Sequence, residues 1–276
     1  MLVVPTVLSA AALHAGWNAI LRGGENRLWS MTLMMVSIAV ISIAMVGLRP
    51  LSPALTTTSA WPYIAASAFV HVLYNLTLVR SYRSSDLGEA YPIARGSSPA
   101  LVAIGAWFIA GEHLSLLPIA GVLLVSGGIL ALSRFRFASA APALLTGALI
   151  GAYTVIDGIG VRIAGDGLAY MSAMFVLWSL TSLTLFFAMG RRPSAYNARQ
   201  ITASLAGGAI SYLAYGIVII ALKYAPMAVV SALRETSVLF ATLIGGLFLG
   251  EKLTVARLAA SGAIAAGAAC LAWQIA

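Results

Sequence analysis

Two arginines stand in stretches too apolar to carry charge without a reason. Arg95 lies in Asp86 to Leu114, DLGEAYPIARGSSPALVAIGAWFIAGEHL, and Arg234 lies in Ala225 to Leu253. A guanidinium is a planar fork of donors that fits carboxylate or phosphate oxygens in pairs. Asp157 and Glu235 sit in apolar stretches as well, and a carboxylate there suits an amine, a coupling proton or an arginine. Charges inside a bilayer are rare and face a bundle interior or a water-filled cavity. Two readings therefore stand open: a closed charge set in which the two arginines pair with Asp157 and Glu235, or a site in which at least one arginine meets substrate.

Neutral polar groups surround these charges at helical spacing. His14, Trp17 and Asn18 are related by i, i+3 and i+4, and so are His71, Tyr74 and Asn75. Tyr91, Arg95 and Ser98 share one face of a third stretch, Tyr153 stands one turn before Asp157, Tyr212 precedes Tyr215, and Ser231 precedes Arg234 and Glu235. Each set forms one face of a helix. The candidate substrate-binding residues are thus His14, Trp17, Asn18, His71, Tyr74, Asn75, Tyr91, Arg95, Ser98, Tyr153, Asp157, Tyr212, Tyr215, Arg234 and Glu235. Hydrogen bonding between helices is the competing use for His14, Asn18 and His71, and aromatic packing for Trp17, Tyr153, Tyr212 and Tyr215, while Tyr91 is favoured for the site by its place one turn before Arg95. Glu112 and Glu251 close their stretches at the water boundary, which favours a boundary role over chemistry.

The elements that must position these groups are membrane spans. Of the 276 residues, 61% are hydrophobic and 9% charged, with a mean hydropathy of +0.97, against about 25% charged in soluble domains. A span needs about 20 apolar residues, and on that ruler the chain divides into ten: 3 to 21, 30 to 48, 60 to 79, 87 to 110, 114 to 133, 142 to 162, 168 to 189, 200 to 222, 226 to 249 and 254 to 274. The N-terminal span lacks the basic leading region of a signal peptide and is expected to be retained. The expected fold is an all-α integral membrane protein.

The chain also repeats itself. Arg95-Gly96-Ser97-Ser98 returns 139 residues later as Arg234-Glu235-Thr236-Ser237, and Gly111-Glu112-His113-Leu114 as Gly250-Glu251-Lys252-Leu253. Residues 1–137 and 138–276 are expected to be two copies of a five-span unit. An odd number of spans per copy inverts the second copy, with substrate sites at the repeat interface. Pro92 and Pro99 flank Arg95 and free backbone carbonyls, so span 4 is expected to bend or break there. Spans 5 and 10 are apolar and small, with Gly127 and Ala131, and Ala263 and Gly267, at close-packing spacing, for internal contact or a dimer.

Charge sets orientation and excludes classes. The +8 balance is a topology signal in so apolar a chain, with no basic run that would bind nucleic acid. Arg22, Arg27, Arg80, Arg83, Arg134, Arg136, Arg191, Arg192, Arg199, Lys252 and Arg257 occupy the odd-numbered loops, eleven against Arg49, Arg162 and Lys223 in the others. The odd loops are expected to be cytoplasmic and both termini outside. The single Cys270 excludes an internal disulfide and a cysteine metal cluster. No metal, cofactor or nucleotide-binding P-loop is expected.

His14-Ala-Gly-Trp17-Asn18, Ser85-Asp-Leu-Gly-Glu-Ala-Tyr-Pro-Ile-Ala-Arg95 and the Gly-Glu pairs at 111–112 and 250–251, set in ten spans, resemble the drug/metabolite transporter superfamily, EamA type. That resemblance implies an inner-membrane carrier, typically an exporter of amino acids or other small metabolites, with a central cavity between the repeats. It also implies basic residues on the fourth and ninth spans, as in sugar-phosphate and nucleotide-sugar carriers, which Arg95 and Arg234 match in kind. Many such carriers have both termini inside, and the charge count departs from that. The function expected is secondary active transport of an amino acid or organic anion by alternating access, not enzymatic. The partners expected are a small-molecule substrate, the bilayer and a coupling proton, in a monomer or homodimer. Two alternatives are an integral membrane enzyme using His14, His71 and Asp157, and a passive channel.

Overall fold

The computed structural model describes residues 3–22, 26–48, 59–84, 87–133, 137–189, 195–248 and 254–275. Gly250, Glu251 and the loop charges Arg49, Arg134, Arg136, Arg191, Arg192 and Lys252 lie outside the described residues, as do the side chains of Arg22, Arg27, Arg80 and Arg83. Among the described residues there are eleven helices and no strand: α1 (Val3–Arg22), α2 (Arg27–Leu48), α3 (Trp61–Ser84), α4 (Leu87–Ala110), α5 (Leu116–Leu130), α6 (Phe137–Ala164), α7 (Gly167–Ala188), α8 (Ala198–Tyr224), α9 (Met227–Glu235), α10 (Ser237–Phe248) and α11 (Val255–Ile275). Local chemistry marks several ends. Asp166 caps α7 by accepting from the amides of Leu168 and Ala169, and Asn197 with Gln200 forms a reciprocal capping box on α8. Gly111 turns the chain out of α4 at φ 66°, where a Cβ would be strained.

Polarity is inside out relative to a soluble protein. Phe108, Ile109, Leu116 and Trp273 are more than two-thirds exposed, while Arg95, Asp157, Arg234 and Glu235 are buried. Bilayer outside and polar groups within reconcile the two. Among the described residues six helices are long and apolar enough to cross a membrane by length and composition, those within 28–48, 91–110, 140–164, 167–188, 198–224 and 255–273. Of the ten expected spans, the fifth is a helix of 15 residues and the ninth is divided into α9 and α10.

The expected break falls in the wrong span. Helix α4 runs unbroken through Pro92 and Pro99. Pro99 frees the carbonyl of Arg95 four residues back, and the Ser98 hydroxyl donates to that carbonyl at 3.1 Å. Re-satisfaction by a neighbouring hydroxyl is how apolar helices tolerate proline. Span 9 breaks instead at Thr236, where the Thr236 amide and hydroxyl both donate to the Leu233 carbonyl and the Leu239 amide donates to the Thr236 carbonyl. Such tight i to i+3 turns inside a helix often mark a hinge or a site.

Contacts between the two halves dominate the packing. Helix α1 lies on α8 and α3 on α6; α4 packs on α6 while α9 and α10 pack on α1; α2 meets α7 and α5 meets α11. The α5/α11 contact is internal, as one of the two expectations had it, and Ala263 and Gly267 lie in it, but α5 meets them through Gly121 and Gly128. Gly121 faces the backbone of Gly267, and Gly128 faces Ala260 and Ile264. Gly127 is exposed with open space at its α-carbon, because the helix rotation that brings Gly121 and Gly128 inward turns it outward.

Candidate cavity between the two halves

One cavity opens among α1, α2, α3, α4, α6, α7, α8 and α9, with about 1110 Å³ of space between its lining atoms, counting its mouth. His14, Trp17, Asn18, His71, Tyr74, Asn75, Tyr91, Arg95, Tyr153, Tyr215 and Arg234 line it, so most of the candidate residues converge on one space. Its lining comes from the ends of α1, α3 and α4 nearest loops 1–2 and 3–4 and from the start of α2. The opposite end is packed, around the corners that follow α4, α6 and α8.

One wall is a charge cluster. Glu235 lies between the two arginines, 2.6 Å from Nε of Arg95 and 3.2 Å from Nη2 of Arg234, and all three side chains are buried. Arg95 also donates to the Ser237 hydroxyl at 3.4 Å and lies over the Tyr91 ring, while Arg234 lies over the Tyr153 ring. The break at Thr236 brings Glu235 and Ser237 together on Arg95. Two positive charges and one negative leave the wall at net +1, with both arginines exposed to the cavity.

The facing wall is aromatic. His71 stacks on Tyr153 at 3.9 Å between ring centres, Trp178 lies 4.9 Å from His71, and Tyr215 meets both His71 and Tyr153 edge-on. The His71 ring Nδ1 bonds the Ser67 carbonyl. On α1, Trp17 donates to Nδ1 of His14 at 3.2 Å and Asn18 donates to the His14 carbonyl. These bonds run within single helices, so they orient the side chains toward the cavity rather than tie spans together.

Four candidates lie outside the cavity lining. Ser98 is spent on the carbonyl that Pro99 frees, and Tyr212 bonds the Ser172 hydroxyl at 3.0 Å. Glu235 stands behind the arginines it joins. Asp157 belongs to no arginine pair: its two oxygens accept from the hydroxyls of Tyr170 at 2.9 Å and Tyr215 at 2.6 Å. The closed set of two arginines with two acids is therefore half right, because helix rotation turns Asp157 to α7 and α8.

Other lining residues escaped the reading of the sequence. Trp178 reads as an ordinary aromatic of a membrane core, and Met31, Met34 and Met35 as ordinary apolar residues, although their i, i+3, i+4 spacing marks one face of α2. At the packed end, Glu112 forms an ion pair with Arg162 at 2.6 Å and accepts from the Met227 amide at 2.8 Å. Arg162 donates to the carbonyls of Leu222 and Ala225. A carboxylate at the start of α9 and a guanidinium at the end of α8 both complement the helix dipoles. Glu112 thus joins the α4 corner to the second half.

An all-helical chain with apolar outer faces and a polar cavity between its halves is a multi-pass membrane protein. Residues 139–273 match the EamA-like transporter family. The second half of the chain accordingly carries an EamA-like domain, and members of that family are membrane transporters. No curated protein matches the chain. A solved structure described as "Crystal structure of protein" is 18% identical, with a TM-score of 0.77 over 99% of this chain and 96% of that one, a likeness of fold.

Proposed function

We propose that the protein is a secondary carrier, an exporter of a small anionic metabolite such as an amino acid or organic acid, working by alternating access through the cavity between its halves. The observation that carries this reading is the net +1 wall of Arg95, Glu235 and Arg234 facing a slab of aromatic rings. A fork of guanidinium donors holds a carboxylate, and flat rings hold an apolar body. The other lining candidates complete the site: His14, Trp17 and Asn18 on α1, and Tyr74 and Asn75 on α3. Ten crossings in two inverted repeats, 1–137 and 138–276, fit the packing, since exchanging each helix of the first half with its mate in the second maps the main pairings between the halves onto themselves. The loop charges support periplasmic termini, and the likeness to EamA-type transporters supports the bacterial inner membrane.

Purified protein in proteoliposomes tests this by counterflow of radiolabelled amino and organic acids. The expected result is saturable exchange of at least one carboxylate, recovered chemically unchanged. Flux that does not saturate identifies a channel, and a chemically altered product identifies an enzyme; either overturns the carrier.

A further inference from the structure

We propose that Asp157 is a proton-binding site and that Tyr215 passes its protonation state to the cavity. The role in transport rests on the carrier reading above; the proton site does not. Asp157 is fully buried on α6, with Oδ1 accepting from Tyr170 and Oδ2 from Tyr215. The titratable and charged groups facing it from the helices packed on α6 are Tyr63 and His71 from α3, Tyr170 from α7, Tyr215 from α8 and Arg234 from α9. Tyr153 lies one turn away on α6 itself, and the Ser67 hydroxyl on α3 lies 3.2 Å from Nδ1 of His71. Arg95 on α4 is turned to Glu235, and Arg234 is likewise joined to Glu235. Glu235 thus has two guanidiniums in contact, whereas Asp157 is held by neutral hydroxyls. A buried carboxylate of the second kind is the one free to take up a proton.

The geometry makes that proton visible from the cavity. An ionised carboxylate only accepts hydrogen bonds, whereas a protonated one donates one of its own. With Asp157 ionised, the single hydroxyl hydrogen of Tyr215 is directed inward, and its oxygen offers only lone pairs to a solute. When Asp157 gains a proton from water, the new O–H donates to Oη of Tyr215. The Tyr215 hydrogen then turns to the cavity, where it donates to an anionic oxygen. Nothing else is made or broken, and the bond from Tyr170 is kept. Proton and anion each strengthen the binding of the other, as reciprocal linkage requires.

The test uses the full chain in lipid nanodiscs. Infrared difference spectra across an acid titration are expected to contain, beside the bands of the other acidic residues, one protonated-carboxyl component that persists in Tyr215→Phe and Asp157→Glu and is lost in Asp157→Asn. The binding probe is benzenesulfonate, a planar anion at every pH used, followed by quenching of tryptophan fluorescence, since Trp17 and Trp178 line the cavity. Its affinity for the wild type is expected to rise as pH falls, by up to about tenfold per pH unit. Asp157→Asn is expected to bind tightly without pH dependence, because an amide N–H donates to Tyr215 as the protonated acid does, and Tyr215→Phe to bind weakly without pH dependence. A carboxyl band unchanged between the wild type and Asp157→Asn overturns the proton site. An unchanged pH slope in Tyr215→Phe overturns the coupling. Failure of the wild type to bind benzenesulfonate at any pH overturns the coupling and the anionic reading of the cavity together, while the infrared band still decides the proton site.

Discussion

Replacing Glu235 by Gln should harm this protein more than removing either arginine it joins. In the wild type Glu235 is fully buried between Arg95 and Arg234. The Gln variant leaves two buried guanidiniums facing each other without a counter-charge. Breaking a buried pair in this way costs about 3 to 5 kcal/mol. Arg95→Ala leaves Arg234 to neutralise Glu235, so its cost is that of one charge-assisted hydrogen bond, about 1.5 to 3 kcal/mol. Binding should follow the opposite order. Arg95→Ala brings the wall from net +1 to neutral, and a unit charge about 4 Å from an anion at an effective dielectric constant of about 20 contributes about 4 kcal/mol. Benzenesulfonate affinity should therefore fall by up to about a thousandfold, and Arg95→Lys, which keeps the charge but loses the fork, should lie between. The assays are thermal unfolding of the purified protein and tryptophan quenching. Arg95→Ala proving as destabilising as Glu235→Gln would refute the shared role of Glu235, and unchanged affinity in Arg95→Ala would remove Arg95 from the site.

Two further outcomes are expected. Glu112→Ala removes both the carboxylate at the start of α9 and the partner of Arg162, and should cost about 1 to 2 kcal/mol in thermal unfolding; an unchanged midpoint would leave that corner without the role assigned to it. A reporter active only in the periplasm, fused after Ala276, should be active and a cytoplasmic one silent, as the eleven-to-three loop asymmetry requires. The reverse pattern would invert the orientation.

Much of the architecture was legible in the residues because its causes are local. A run of about 20 apolar residues becomes a helix in a bilayer, and the expected span 87 to 110 coincides with α4. The cost of a polar group in hydrocarbon turns each i, i+3, i+4 set inward, so His14 with Trp17 and Asn18, and His71 with Tyr74 and Asn75, reach the cavity. What depends on how helices rotate against each other was decided only by the tertiary structure. Asp157 and Glu235 look alike in the sequence, yet one meets two tyrosines and the other two arginines. Pro99 announces a break that Ser98 repairs, while the true break at Thr236 has no proline to mark it. Gly121 rather than Gly127 meets α11, and Trp178 enters the cavity wall because its neighbour is His71. Periodicity determines which face of a helix is polar; only the packed neighbours determine which partner that face finds.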